Sequence, residues 1–248
     1  MKRNYWEKIA PAYDDEIFDV LHNDKKALIR SEIEKLASPE KTVIDIGCAI
    51  GKWLPVLSPA FKKVMALDIS AKNLEIARQR YPEYTNVEYL RANMSDKKAK
   101  IPKADHGICI NAILTPSQKD RDIFFENLKL CIRKAGTVIL SIPSLESNML
   151  STVIATRWKL DQQILNKKIS AAKAQEKWNQ IRQGNKDIDD VPHKHFLKEE
   201  LQLILNMAGF EVSRIEKIEY GWDTEFLKPP AFLKGIKPWD WMVVAVRK

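Results

Sequence analysis

Short apolar runs recur along this chain and alternate with amphipathic stretches. Continuous apolar runs are typical of strands buried on both faces of a parallel sheet, whereas apolar residues spaced three or four positions apart indicate helices. Strands are predicted over residues 43–46, 64–68, 87–90, 104–111, 137–142, 210–220 and 239–246. Helices are predicted over residues 23–37, 52–57, 70–80, 117–133 and 198–207. This alternation predicts an α/β fold with helices on both faces of a doubly wound sheet.

The last two predicted strands have no helix between them, so they are expected to pair antiparallel. Residues 146–192, which precede them, form an insertion. A helix is predicted there over residues 149–183 and an exposed loop over 184–190, and the helix carries Trp158, Leu160, Ile164, Leu165, Ile169 and Trp178. Because the insertion follows the fifth strand, we expect it beside the ligand-binding crevice. It would serve there as a substrate lid, an interaction surface or a dimer contact.

The first predicted strand runs into a glycine-containing turn, D-I-G-C-A-I-G, from Asp45 to Gly51. Glycines let the backbone bend sharply and approach a ligand, and the amides that open the next helix point at that ligand. The dinucleotide fingerprint is G-x-G-x-x-G. This turn instead has the spacing G-x-A-x-G and places Lys52 where the third glycine would fall. The turn therefore differs from a pyrophosphate site, and a turn that only packs is the alternative.

Polar side chains end two of the predicted strands. Asp68 follows the glycine turn by about twenty residues, where a carboxylate can accept both hydroxyls of a ribose. Asp68 could instead cap the following helix, but Ser70 is better placed for that role. Asn111 ends the fourth strand. Ligands of open parallel sheets lie beyond the carboxyl ends of the strands, so we expect Asn111 at the same crevice.

The pattern Asp45-x-Gly47-x-Ala49-x-Gly51 resembles the first motif of class I S-adenosylmethionine (SAM) dependent methyltransferases, D/E-x-G-x-G-x-G, with alanine at the middle glycine. This resemblance implies SAM as the cofactor and S-adenosylhomocysteine (SAH) as the product. It also implies that an amide and an apolar side chain bracket the adenine ring, which Asn93 and Met94 match by position. The cofactor-binding residues that we predict are Tyr13, Asp45, Gly47, Cys48, Ala49, Gly51, Asp68, Ile69, Asn93, Met94 and Asn111.

The N-terminal segment also resembles this family, in which a W-x-x-x-A-x-x-Y-D stretch folds over the cofactor. The matching residues are Trp6, Ala10, Tyr13 and Asp14, so we expect residues 1–22 to form a lid. The alternative is a helix whose aromatic face packs on the domain. An aromatic face suits a sulfonium cation, which makes Tyr13 a candidate for contact with cofactor or substrate.

Two histidines, His193 and His195, are the candidates for a general base. Methyl transfer needs a base only when the acceptor must lose a proton, and a solvated histidine is the commoner case. No third ligand follows at a metal-binding spacing, so no metal is predicted. Asn111 is not followed by the Pro-Pro-aromatic sequence of amide and adenine amino-methyltransferases, and no Pro-Cys nucleophile occurs here.

Composition narrows the setting of the protein. The 248 residues are 45% hydrophobic and 30% charged, as in an ordinary globular domain. No run is apolar enough to span a bilayer, the N-terminus is not a secretory signal, and three unpaired cysteines fit a reduced cytoplasmic setting. The net charge is +8. The basic residues are interleaved with acids, which favours a solvated surface over a nucleic-acid interface.

We therefore predict one domain over residues 1–248. The resemblance implies a seven-stranded, mostly parallel sheet in three α/β/α layers, with strand order 3-2-1-4-5-7-6 and the last strand antiparallel. The predicted function is SAM-dependent methyl transfer to an O or N nucleophile of a small molecule. The alternatives are an RNA or protein methyltransferase that uses the basic surface, and a non-catalytic binding module of the same fold. We expect a small-molecule partner and no membrane, with nucleic acid left open but not favoured, in a monomer or homodimer.

Overall fold

The computed structural model describes residues 3–160, 170–188 and 191–248, and it contains a seven-stranded sheet in the order β3-β2-β1-β4-β5-β9-β8. A separate hairpin is formed by β6 and β7. The strands are β1 (Ser38–Ile46), β2 (Phe61–Asp68), β3 (Val87–Arg91), β4 (Ala104–Ile110), β5 (Ile132–Pro143), β6 (Asn185–Ile188), β7 (Val191–Lys194), β8 (Phe210–Glu219) and β9 (Trp239–Arg247).

The α-helices of the described residues are α1 (Arg3–Ile9), α2 (Tyr13–Glu16), α3 (Val20–Asn23), α4 (Leu28–Leu36), α5 (Leu54–Leu57), α6 (Ala71–Arg80), α7 (Gln118–Cys131), α8 (Leu145–Trp158), α9 (Ala171–Arg182) and α10 (Lys198–Met207). Short 3-10 helices cover Ala10–Ala12, Trp222–Thr224 and Ala231–Gly235.

The strand directions confirm the predicted topology. Strands β1 to β5 pair in parallel, with β1 at the centre between β2 and β4. Strand β9 runs antiparallel to both of its neighbours, β5 and β8. The predicted order therefore holds, because the hairpin of β6 and β7 stands apart from the main sheet.

Alternating residues of the buried strands supply two separate cores, which makes three layers. In β1, Ile44 packs with residues of α7 and α10, among them Leu128 and Leu201. Its neighbour Val43 belongs to the opposite core, which includes Ile33 of α4 and residues of α5 and α6. Successive strand residues point to opposite faces, so a continuous apolar run serves both cores at once.

Two predicted helices are shorter than their sequence pattern suggested. The helix predicted over residues 23–37 begins at Leu28, because Ala27 takes a left-handed conformation with φ of 50°. The carboxylate of Asp24 still accepts a hydrogen bond from the N–H of Ile29, at 2.9 Å. The helix predicted over residues 52–57 is reduced to the four residues of α5.

The insertion contains two described helices and a hairpin. Helices α8 and α9 cover parts of the helix predicted over residues 149–183, whereas Ile164, Leu165 and Ile169 lie outside the described residues. The prediction of an exposed loop over residues 184–190 was wrong for Asn185–Ile188, which form β6 and pair with β7. The hairpin and the residues after it are held to the domain by backbone hydrogen bonds from Lys194 to Leu114 and from Phe196 to Pro143, both at 2.9 Å.

A bilayer crossing would need a long and continuously apolar helix. None of the helices in the described part of the chain has that length and hydropathy.

Candidate active site

The carboxyl ends of β1, β2 and β4 meet around the predicted glycine turn. The N–H groups of Gly47 and Cys48 donate to the carbonyl of Leu67 at 2.7 and 3.0 Å, which ties the turn to β2. A Cβ atom at Gly47 would lie 2.5 Å from the Cβ of Ala112, and φ is +75°, so only glycine fits there. Ala49 also has a left-handed φ, +48°, at the position where the family motif has glycine.

Asp68 joins the glycine turn to the start of α6. Its Oδ2 accepts from the N–H of Ala49 at 3.0 Å, and its Oδ1 accepts from the N–H of Ser70 at 2.8 Å. Ser70 caps α6 as predicted, since its hydroxyl accepts from the N–H of Asn73. Burial raises the pKa of Asp68, while these backbone hydrogen bonds oppose the rise. The carboxylate is thus partly committed to the turn, with one lone pair of Oδ2 still available.

Asn73 adds a polar group that the sequence pattern did not single out. It lies in α6, lines the same cavity as Asp68, and donates from Nδ2 to Asp68 Oδ1 over a long 3.4 Å. Its buried Oδ1 has no hydrogen-bond partner among the described residues. Buried polar atoms are rarely left unpaired, so this oxygen is suited to accept a ligand hydroxyl.

Asp45 presents a second buried oxygen without a partner. Its side chain is almost fully buried, and Oδ2 makes no hydrogen bond to the described part of the protein. Burial, together with the nearby charge of Asp68, raises its pKa to about 8. A desolvated carboxyl group beside the glycine turn fits a cationic ligand group such as an ammonium.

The turn after β3 brings Asn93 and Met94 to the opposite end of the cavity. Met94 is buried, and its carbonyl accepts from the side-chain amide of Asn127 in α7 at 2.8 Å. Asn93 Oδ1 accepts from the N–H of Ser95 at 2.9 Å. Asn127 therefore fixes the turn from behind, a role that its helical position in the sequence does not reveal.

The N-terminal segment lies over the glycine turn and the start of α6. Glu7 accepts from the N–H groups of Ala71 and Lys72 at 3.0 and 3.2 Å, the first residues of α6. Lys52 pairs with Asp14 at 3.1 Å and with Asp19 at 2.7 Å. These contacts fix the segment where Trp6 and Tyr13 line the cavity.

Two adjoining cavities share one wall. The first encloses about 100 Å³ and the second about 360 Å³. The residues that line both are Trp6, Tyr13, Gly47, Ala49, Ile110, Asn111 and Leu114. Of the predicted cofactor residues, the first cavity has Tyr13, Gly47, Ala49, Asp68, Ile69, Asn93, Met94 and Asn111, and the second adds Asp45 and Cys48. Gly51 lines neither, and a Cβ there would lie 2.8 Å from the side chain of Leu54.

Asn111, on the shared wall, belongs to a polar network that reaches into the second cavity. Its Nδ2 donates to Asp240 Oδ2 at 2.9 Å, and its Oδ1 accepts from the hydroxyl of Ser141 at 3.1 Å. The hydroxyl of Tyr220 donates to the same oxygen of Asp240 at 3.0 Å. Burial raises the pKa of Asp240, and these hydrogen bonds oppose the rise. The network holds the side chain of Asn111 at the boundary between the cavities.

Both predicted histidines line the second cavity, on the hairpin. His195 Nδ1 lies 3.4 Å from the carbonyl of His193, and His193 Nδ1 lies 2.7 Å from the carbonyl of Val191. A carbonyl only accepts, so each Nδ1 carries the proton in these contacts. Burial lowers the pKa of His195 to about 4, so its ring is neutral at pH 7 and Nε2 is an acceptor. Within the residues described, no cluster of three metal-ligating side chains occurs.

Residues 43–136 match the family model for a methyltransferase domain. That range begins within β1, ends in the first part of β5 and includes the predicted cofactor residues apart from Tyr13. No curated protein sequence is significantly similar to this chain.

Solved structures with the same fold include three methyltransferases. The N-methyltransferase NodS of Bradyrhizobium japonicum WM9, in complex with SAH, has a TM-score of 0.62 at 11% identity over 99% of this chain and 97% of that chain. A SAM-dependent methyltransferase of Methanosarcina mazei has a TM-score of 0.60 at 16% identity, over 87% of this chain and 96% of that chain. The magnesium protoporphyrin IX methyltransferase of Synechocystis PCC 6803, with bound SAH, has a TM-score of 0.58 at 16% identity, over 99% of this chain and 98% of that chain. At these identities the likeness is one of fold.

The methyltransferase-domain match and the shared three-layer fold agree with each other. The chain has the Rossmann-like fold of SAM-dependent methyltransferases, and its residues 43–136 match a methyltransferase domain, as the glycine turn and the strand order predicted.

Proposed function

We propose that this protein is a SAM-dependent methyltransferase that moves a methyl group to an O or N nucleophile of a small molecule held in the second cavity. The observation that carries the proposal is the shared wall between the two cavities, at Ala49, Asn111 and Leu114. Displacement at a methyl carbon requires nucleophile, methyl and sulfur in line, so cofactor and acceptor must meet at one boundary.

SAM is the cofactor of this class and supplies a methyl group activated by a positively charged sulfur. We assign its site to the first cavity and the adjoining glycine turn. The unpaired oxygen of Asp45 suits the cofactor's ammonium group, since both would otherwise be desolvated without a partner. Asp68 Oδ2 and Asn73 Oδ1 are the available acceptors for ribose hydroxyls, while Asn93 and Met94 flank the expected position of adenine.

The size and lining of the second cavity favour a small, partly aromatic or apolar acceptor. Its volume of about 360 Å³ lies in the range of small-molecule sites, and its walls include Phe18, Tyr220 and Trp239. The indole N–H of Trp239 is buried without a partner among the described residues. We propose that it donates to an oxygen of the acceptor, since Trp239 lines the cavity. The N-terminal segment and the hairpin border this cavity and would exclude water from it.

His195 can accept a proton or a hydrogen bond from the acceptor. Its neutral ring offers Nε2, and its carbonyl contact through Nδ1 fixes the tautomer. The lowered pKa makes it a weak base, so we assign it the orientation of an acceptor hydroxyl rather than the removal of a proton from an ammonium group.

Calorimetric titration with SAH, with NAD as the control ligand, tests the cofactor site. We expect micromolar binding of SAH and none of NAD. Binding of neither ligand would contradict the assignment and favour a binding module that retains only the fold. If SAH binds, release of SAH from SAM during incubation with pooled amines, phenols and carboxylic acids then tests the acceptor class. If none of these pools leads to release of SAH, the small-molecule proposal is contradicted.

A further inference from the structure

The connection between β8 and β9 exposes large apolar side chains to solvent. In residues 226–237, F-L-K-P-P-A-F-L-K-G-I-K, Leu227 is 102% exposed, and Phe232 and Ile236 are each 57% exposed. Scattered single apolar residues on a surface are ordinary, but a cluster marks a binding site. These three residues lie within ten positions of one another and face neither core.

The exposure of these side chains is fixed by the way the connection is anchored. The indole N–H of Trp222 donates to the carbonyl of Leu233 at 3.1 Å and also contacts the carbonyl of Ile236. The side chain of Leu233 is buried with Trp222 and with Ile154 of α8. Because Leu233 points inward, its neighbour Phe232 is held outward.

The charged residues within residues 226–237 are all basic. Lys228, Lys234 and Lys237 are exposed, and residues 226–237 contain no acidic residue. The end of α8 extends the same surface, because Trp158, 46% exposed, packs on Phe232 with ring centroids 5.0 Å apart. Trp158 is flanked by the exposed cations Arg157 and Lys159. We call residues 226–237 and 157–159 the basic apolar surface.

We propose that the basic apolar surface docks this methyltransferase on a bilayer that contains anionic lipid. Exposed aromatic and aliphatic side chains surrounded by lysines are the composition of interfacial membrane contacts: the apolar tips enter the acyl boundary and the cations remain among the headgroups. A second copy of this chain is disfavoured because a symmetric contact would bring five cations against the same five. A protein partner is disfavoured because five cations surround these side chains, whereas the cores of protein–protein interfaces are depleted in charged residues.

The basic apolar surface lies next to the second cavity. Thr224 and Glu225, just before it, and Pro238, just after it, all line that cavity. Docking would therefore bring the mouth of the acceptor cavity towards the lipid headgroups. The docking proposal itself does not depend on which acceptor is methylated.

Co-sedimentation with vesicles tests the proposal. We expect the full chain to bind vesicles of phosphatidylcholine mixed with phosphatidylglycerol, and not vesicles of phosphatidylcholine alone. The Leu227→Ser/Phe232→Ser variant should lose about tenfold or more in partition coefficient, since it removes the apolar contact. The Lys228→Gln/Lys234→Gln/Lys237→Gln variant should lose about a hundredfold, since each cation attracts the anionic surface.

Control variants change the same kinds of residue elsewhere on the chain. They test whether binding depends on this particular surface or only on the total number of exposed apolar and basic residues. Leu203→Ser/Met207→Ser removes side chains of α10 that are 61% and 79% exposed. Lys97→Gln/Lys98→Gln/Lys100→Gln lowers the net charge by the same amount at exposed positions between β3 and β4. Both control variants should bind anionic vesicles within about twofold of the unchanged protein, because neither alters the basic apolar surface. Circular dichroism and SAH titration check that all four variants are folded.

Three results would overturn the proposal. The first is no binding to anionic vesicles, and the second is an equal loss of binding in the surface variants and their controls. The third is concentration-dependent dimerisation in analytical ultracentrifugation that disappears in Leu227→Ser/Phe232→Ser, since the surface would then be a contact between copies.

Discussion

At the scale of single residues, Asp68 has two roles that one substitution would affect together. Its carboxylate organises the turn through Ala49 and Ser70, and it lines the cofactor cavity. His195, by contrast, lines only the second cavity. The two residues therefore report on different ligands, which makes a comparison of their substitutions informative.

We expect Asp68→Ala to weaken SAH binding by about a hundredfold, because hydrogen bonds to a charged group are lost in a desolvated site. His195→Ala should change SAH affinity by less than about threefold, because His195 is assigned to the acceptor. Calorimetry of the two variants measures both values, with thermal unfolding as the check on folding. Equal losses would contradict the assignment of the ribose to Asp68.

Asp45 should make the stability of the ligand-free protein fall with rising pH. Its folded-state pKa of about 8 lies above the ordinary value of 3.8, so folding favours the protonated form. The stabilisation is complete below pH 3.8 and is lost as the pH rises through about 8. Asp45→Asn removes this loss, so above pH 8 the variant should exceed the unchanged protein by at least about 1 kcal/mol in the free energy of unfolding.

Denaturant unfolding at several pH values on both sides of 8 measures this difference. Asp105→Asn is the control, because the pKa of Asp105 is shifted in the opposite direction to that of Asp45. Burial raises the pKa of Asp105, but hydrogen bonds from Thr42 outweigh it and leave the pKa lowered. Asp105→Asn should therefore destabilise the protein at neutral pH. A stability difference for Asp45→Asn that does not change with pH would contradict the buried, protonated carboxyl group.

The residues of the glycine turn were predictable from sequence because motif spacing fixes their backbone environment. Asn73 was missed because its only local signal is its position in the first turn of a helix that follows Asp68. The contact of Asn111 with Asp240 joins residues 129 positions apart. No local pattern encodes such a pair, since it exists only once β4 and β9 lie on either side of β5.

At the scale of elements, the N-terminal segment is held to both ends of α6, by Glu7 at its first residues and by an ion pair of Asp14 with Arg80 at 2.8 Å at its last. Glu7 accepts from the N–H groups of Ala71 and Lys72, which have no partner within the helix, and its negative charge complements the helix N-terminus. The segment buries few of its own side chains: in the helical turns between Arg3 and Glu16, the buried residue is Ala10. Its position should therefore respond to Glu7 more than the rest of the fold does.

We expect Glu7→Ala to raise the amide hydrogen exchange of residues 3–16 by about tenfold and to weaken SAH binding severalfold, with little change in the melting temperature. Exchange measured by mass spectrometry resolves the segment from the sheet. The control is Glu75→Ala, on the exposed side of α6, where the carboxylate accepts a hydrogen bond from Gln79 of the same helix at 3.3 Å. Equal exchange in both variants would show that Glu7 does not hold the segment.

The hairpin of β6 and β7 shows why one element escaped prediction. Its residues include Asn185, Lys186 and Asp187, which are typical of loops, and its apolar positions are too few to stand out. The alternating pattern of the two strands can be recognised only once their pairing is known. Lys186 and Ile188 then lie on one face of the hairpin, together with their partners His193 and Val191. The hairpin is stable because it packs on the domain, where Lys194 is buried and paired with Glu200 at 2.7 Å.

At the scale of the whole molecule, the sheet was predictable because both of its faces are covered. Continuous apolar runs, such as that from Val64 to Leu67, identify the strands, and the missing helix before β9 fixes its direction. The basic apolar surface was not predictable. Trp158 and Phe232 have the same hydropathy whether they are buried or exposed, and only the inward side chain of Leu233 decides which way the connection faces. The proposed docking surface could therefore not be predicted from the sequence.

The position of β9 has a consequence for the synthesis of this protein. Strand β9 follows β8 in the chain but lies between β5 and β8 in the sheet, and β8 has no other neighbour there. While the ribosome makes the connection of residues 220–238, β8 is already present without a partner and the edge of β5 is open. Unpaired strand edges are templates for pairing with another chain, so we expect this stage of synthesis to be the one most exposed to association with other chains. The cofactor motifs are thus made early, but the sheet that supports them closes only after β9 leaves the ribosome.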